Sequence, residues 1–199
     1  MKPRVVIIDN GGANTASLHF ALARLGTEPE LTSDARTIGA ATHVILPGVG
    51  AAGDAMERLR ARGLDTLIPR LTQPVLGICL GMQLLYQASE EGGARCLGTI
   101  AGTARRLFPV RGRPVPHMGW NRIRRTGAAD LLAGVEDGAH AYFVHSYALP
   151  VGSETVAVTD YGEEFSAMIV HANFFGTQFH PERSAATGAT ILRNFLAIH

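Results

Sequence analysis

The stretch from Pro74 to Tyr86, PVLGICLGMQLLY, leaves few folds open: an apolar run passes through Gly77-Ile78-Cys79-Leu80-Gly81 and goes straight into a pattern of helical spacing. This is the G-x-nucleophile-x-G elbow, with cysteine at its centre. Glycines flank the central residue because a tight strand-to-helix turn leaves no space for side chains beside it. Cys79 should therefore project alone from the top of a sheet, at the start of a helix, a position that suits a nucleophilic sulfur. The competing reading is a buried structural cysteine, the commoner fate of a free thiol.

The surrounding sequence predicts the sheet that such an elbow needs. Strand-like runs at 5–9, 28–31, 43–46 and 75–78 alternate with helical patterns at 14–25, 34–40 and 53–62, and the strands are apolar enough to be covered on both faces. After Tyr86 extended segments dominate, at 104–108, 120–124, 141–149, 155–159, 167–170 and 174–179, several of which should pair antiparallel along one edge. A last amphipathic helix carries Ile191, Leu192, Phe195 and Leu196. The fold class expected is α/β, three-layered, with a mostly parallel central sheet, helices on both faces and an antiparallel edge extension. With 199 residues and no evident linker or internal repeat, residues 1–199 should form one domain.

Composition removes several function classes. No apolar run approaches the ~20 residues of a membrane helix, and MKPRVVIID runs into a strand without a cleavage pattern, so a cytoplasmic location is expected. The two cysteines, Cys79 and Cys96, make no disulfide framework, and neither lies in a metal-binding spacing, so no metal and no cofactor is expected. A net charge of +1 gives no general argument for nucleic acid. Between Glu91 and Asp130 there is no acidic residue, while Arg95, Arg105, Arg106, Arg111, Arg113, Arg122, Arg124 and Arg125 all occur. That stretch is either a solvated basic face or a surface for an acidic partner or phosphorylated substrate.

A cysteine nucleophile needs a base, and the base needs an orienting group. Among eight histidines the best placed is His180 in GTQFHPERS, at the end of a strand-like run and before Pro181. Glu182, two residues on, would share its side if the backbone stayed extended, although an H-x-E pair is also common on surfaces. Acyl transfer also needs oxyanion donors; the N–H of Leu80 is one, and the loop Gly48-Val49-Gly50 can supply another. That loop belongs to PGVGAAG, whose G-x-G-x-x-G spacing matches a dinucleotide fingerprint. Its context argues against one, since it follows the third strand and no acid stands near residue 73.

Taken together, PGVG, GICLGMQ and QFHPE resemble the class I (triad) glutamine amidotransferases, over nearly the whole chain. VPHMGWN at 115–121, YFVHSY at 142–147 and FHPERS at 179–184 are similar to one branch of that family, the glutaminase subunits of imidazole glycerol phosphate synthases. The start is a departure, DNGGAN standing where D-Y-G-x-G-N is commoner. The resemblance implies Cys79 as nucleophile, His180 as acid/base and Glu182 as its orienter, with Gly50 and Leu80 at the oxyanion. It implies glutamine binding by Gln83 and by the backbone around Gly48, Ser146 and Tyr147, and a partner-facing surface with Asn14, Trp120, Tyr142 and Arg183. It further implies a (β/α)8-barrel cyclase partner in a heterodimer of histidine biosynthesis, which consumes the ammonia released and without which the glutaminase is nearly idle. Glutaminase subunits for anthranilate, aminodeoxychorismate or pyridoxal phosphate synthesis, a self-sufficient γ-glutamyl peptidase and a non-enzymatic binding module are the other readings. PHMGWN argues against the first group and the intact Cys, His and Glu against the last.

Overall fold

A computed structural model describes residues 3–11 and 15–199; the expectation for Asn14 lies outside the described residues. In chain order the first half reads β1 (Val5–Ile8), α1 (Ala16–Arg24), β2 (Glu30–Thr32), α2 (Ala35–Gly39), β3 (His43–Gly48), α3 (Ala52–Ala61), α4 (Leu64–Leu67), β4 (Val75–Cys79) and α5 (Leu80–Leu84). The second half reads β5 (Tyr86–Ser89), β6 (Ala94–Arg95), β7 (Ile100–Arg106), β8 (His117–Arg122), β9 (Arg124–Arg125), β10 (His140–His145), β11 (Tyr147–Ala148), β12 (Thr155–Asp160), β13 (Glu164–His171), β14 (Phe174–Thr177) and α6 (Ala185–Leu196). Among the described residues no helix is long and apolar enough to cross a membrane.

The main sheet has the order β2-β1-β3-β4-β14-β13-β12-β9, parallel from β2 to β14 and antiparallel beyond. Alternation along each strand sends side chains to opposite faces, so both faces acquire a core. Val5 and Ile7 pack with Leu18, Leu22 and Phe195 on one side. Val6 and Ile8 pack with Met56, Leu59 and Ile68 on the other.

In the second half several segments form the expected antiparallel edge, and others build separate small sheets. Segment 174–179 supplies β14, the last parallel strand, lying beside β4 with Gly176 opposite Gly77. Segments 155–159 and 167–170 extend the sheet antiparallel beyond it, as β12 and β13. Segments 104–108 and 141–149 and most of 120–124 lie outside the main sheet: β8 pairs with β10 alone, and β7 joins a small sheet of order β11-β7-β5-β6. Ile123 marks the switch, because β8 before it pairs with β10 while β9 after it pairs with β12, and its own buried side chain anchors the corner. Short strands broken by glycine and proline have no fixed partner in the sequence; tertiary packing chose for them. The expected weak strand at 28–31 forms one to two residues later, and the elbow helix ends at Leu84, sooner than its apolar pattern suggests.

Candidate active site

Parallel pairing brings the ends of β3, β4 and β14 to one edge of the sheet, the edge where open α/β sheets form their clefts. Gly48 stands directly opposite Cys79 in the ladder, and the chain leaving β14 carries Gln178 and His180 to the same place. Cys79 has φ 54° and ψ −112°, a conformation costly for a side-chain-bearing residue and typical of the elbow. Its neighbours are glycines for steric reasons. A Cβ on Gly77 would lie 2.7 Å from Gly81 O, and one on Gly81 would lie 1.8 Å from Leu46 O.

His180 is fixed before its ring is considered. Its backbone N–H donates to Tyr142 O at 3.0 Å, and its carbonyl accepts from Ser184 Oγ at 2.7 Å. The same Oγ accepts from the Tyr142 N–H at 2.9 Å. Ser184 thus ties His180 to β10, a role with no sign in the sequence beyond its place in FHPERS. Residues Pro181–Arg183 form a 3-10 turn, so the extended backbone expected between His180 and Glu182 is absent. The turn still brings Glu182 Oε1 to 2.8 Å from His180 Nδ1, with both side chains largely buried.

The other ring nitrogen, Nε2, is buried and makes no hydrogen bond of ordinary geometry with the protein. Burial would lower the pKa of His180, but the Cys79 sulfur close by and the Glu182 carboxylate together outweigh it and raise the value to about 10. A charged imidazolium facing a sulfur nucleophile is what proton transfer to a leaving group requires. His145 also faces the cavity, yet both its nitrogens are spoken for, by Tyr147 O at 2.8 Å and His117 Nδ1 at 3.0 Å. It has no free nitrogen for a substrate.

Cys79 opens on a cavity of about 270 Å³ whose wall includes Gly50, Leu80, Gln83, Ser146, Tyr147 and His180. Gln83 is buried and donates to Tyr147 O at 2.8 Å and to Gln178 Oε1 at 2.9 Å, so its own oxygen is what it offers the cavity. Gln178, missed in the sequence, is fully buried beneath the elbow and points its Nε2 at the Cys79 sulfur, 3.8 Å away. Glu91, also missed, is the only carboxylate on the wall among the described residues, and it accepts from the Ala52 N–H at 2.8 Å. Nothing local marked either residue, since their partners lie 39 to 99 positions away.

The loop after β3 divides its glycines between two tasks. Gly48 is buried against the elbow, where a Cβ would lie 2.6 Å from Gly81 N, and it faces a smaller cavity beneath rather than the main one. Gly50 has φ +84° and open space where a Cβ would sit, and it does line the main cavity. Trp120, Tyr142 and Arg183 are brought together away from the cavity. Trp120 lies edge-on to Tyr142 at 6.0 Å, and the Arg183 guanidinium lies over the Tyr142 ring at 4.8 Å.

Fold and site together describe an α/β enzyme of the nucleophile-elbow class, with cysteine at the elbow and a His–Glu pair on the neighbouring strand's exit. Two solved structures share the fold. One, a glutamine amidotransferase, aligns with TM-score 0.74 at 17% identity, covering 96% of this chain and 97% of that one. PurLQS from Thermotoga maritima aligns with TM-score 0.74 at 20% identity, covering 99% of both. The sequence model described as "Glutamine amidotransferase class-I" matches residues 6–198. The imidazole glycerol phosphate synthase subunit HisH of Xylella fastidiosa is 55% identical over 192 residues, 96% of each chain, and that of Xanthomonas axonopodis pv. citri is 53% identical over the same span. The chain belongs to the class I glutamine amidotransferase family.

Proposed function

We propose that this chain is the glutamine-hydrolysing subunit of an imidazole glycerol phosphate synthase, acting in histidine biosynthesis by releasing ammonia for a cyclase subunit. The observation that carries the reading is the Cys79, His180 and Glu182 arrangement over a cavity of small-molecule size, in a chain 55% identical to a subunit of that name. Cys79 Sγ attacks the side-chain carboxamide carbon of glutamine. The N–H groups of Leu80 and Gly50 receive the oxyanion, a stabilisation of about 3–4 kcal/mol per donor in other acyl transfers. The C–N bond breaks as His180 gives its proton to the departing nitrogen, leaving a thioester. Water, deprotonated by His180, then attacks the thioester carbon, and glutamate leaves as the sulfur is restored. Glu182 holds the imidazole in register throughout.

Glutamine would be held at its α-ammonium by Glu91 and by the oxygen of Gln83, with Ser146 and Tyr147 along its length. Ammonia in water at neutral pH is mostly protonated and no longer nucleophilic. It must pass directly to an acceptor site, which implies a docked partner, a (β/α)8-barrel cyclase in a heterodimer. Trp120, Tyr142 and Arg183 form the docking surface, and Gly50, free of steric restraint, lets its peptide turn into the oxyanion position when the partner is loaded.

The test is glutamine hydrolysis by the purified chain, alone and with the cyclase subunit plus its nucleotide substrate. Turnover should rise strongly in the complex; fast turnover alone, unchanged by the partner, would overturn the assignment. Cys79→Ala should release no glutamate under either condition.

A further inference from the structure

His117 and His145 are buried, belong to no step of the reaction above, and face each other across the β8–β10 ladder. The hydrogen bonds around them fix every proton. Tyr147 O can only accept, so His145 carries its hydrogen on Nδ1 at 2.8 Å from that oxygen. Burial first, then the neighbouring His117, pushes His145 down to about 3, so it is neutral and its Nε2 is an acceptor. His117 must then donate from Nδ1, over 3.0 Å. Burial and the nearby Arg113 push His117 down to about 4, and its free Nε2 faces Asn121 Nδ2 at 3.3 Å. The amide of Asn121 is oriented to match, its oxygen accepting from the Arg122 N–H at 2.8 Å and its nitrogen donating to Asp160 O at 3.0 Å.

The result is one directed chain of donors, Asn121 to His117 to His145 to the Tyr147 carbonyl. That carbonyl is also where Gln83 of the elbow helix donates, at 2.8 Å. His117 is held flat between Phe143 (4.8 Å, 21°) and Tyr161 (3.9 Å, 24°), so its ring cannot swing to relieve a lost bond. Such a chain costs a great deal if one link is missing, because a buried nitrogen is then left unpaired.

We propose that His117 and His145 are positioning residues, a two-histidine brace that sets the 145–147 wall of the cavity against Gln83 and thereby fixes glutamine for attack. This rests on the glutaminase reading for its kinetic consequence, but the brace itself is testable without it. His117→Phe keeps the ring stack and deletes the donor. Measured with the cyclase present, it should raise KM for glutamine about tenfold, the scale of one lost buried hydrogen bond, with kcat within about twofold. Alkylation of Cys79 by iodoacetamide should keep its wild-type rate, and His117→Asn, whose amide nitrogen replaces Nδ1, should recover most of the affinity. In wild-type chain labelled with ¹⁵N-histidine, NMR near neutral pH should show both rings neutral with the proton on Nδ1. An unchanged KM in folded His117→Phe, a parallel loss of alkylation, or either ring charged or protonated on Nε2 would overturn the brace. If wild-type chain hydrolyses no glutamine even with the cyclase, the functional reading fails, and the brace stands or falls on the NMR tautomers.

Discussion

At the scale of single residues, the His180–Glu182 contact makes the most direct prediction. The folded-state value of His180, about 10, lies above its ordinary 6.5. A group raised on folding contributes stability that is fully present below the unfolded pKa and is lost as pH climbs through the folded one. Wild-type Tm should therefore fall between about pH 6.5 and 10, and Glu182→Gln, which removes one of the two raising partners, should flatten that slope while cutting turnover about 10²-fold or more. Thermal melts across the pH series check the first part and steady-state rates the second; equal slopes would contradict the assigned origin of the shift. That Cys79, His180 and Glu182 would come together was legible in the sequence, because each stands beside glycine or proline punctuation at a strand end. Gln178, Glu91 and Ser184 were not, since each is an ordinary polar residue until folding brings a partner from 39 or more positions away.

At the scale of elements, PGVGAAG shows how one spacing can hold two unrelated requirements and a third glycine that meets neither. Gly48 is needed for close packing, Gly50 for its left-handed φ, and Gly53, inside α3 with nothing within 4 Å, for neither. Gly53→Ala should therefore raise stability by about 0.4–1 kcal/mol in a denaturant titration. Gly188→Ala is its opposite: a Cβ there would lie 1.8 Å from Pro181 O, where α6 crosses the turn that carries Glu182. It should cost about 3 kcal/mol, lower Tm by roughly 6–12 °C, and depress turnover by displacing Glu182. Gly50→Ala should strain the loop, reducing kcat and lowering Tm by about 2–4 °C while leaving Cys79 alkylation near wild type. The parallel core strands could be read from their apolar runs, whereas the assignment of β7, β8 and β10 to separate sheets could not. Their partners follow from the corner at Ile123, which is a packing decision and leaves no periodic trace.

At the scale of the whole molecule, two features share one strand and face opposite ways. Along β8, His117 turns inward to His145, while Met118 and Trp120 are 63% and 54% exposed. Exposed apolar side chains of this size, one of them edge-on to a tyrosine under the Arg183 guanidinium, are the surface on which the docking role proposed above for Trp120, Tyr142 and Arg183 can be tested. Trp120→Ala should then lower the Tm of the isolated chain by only a few degrees, about 2–6 °C, since roughly half of the side chain already lies in solvent. Binding to the cyclase subunit should weaken by about 30-fold or more, the ≥ 2 kcal/mol expected when a central aromatic anchor is truncated. Titration calorimetry measures the affinity, and hydrolysis at saturating cyclase separates docking from activation. Recovery of full turnover at high partner concentration would place Trp120 in docking alone. A persistent deficit would mean that this strand also transmits the partner's state inward. An unchanged affinity would remove Trp120 from the interface and leave its exposure without a function.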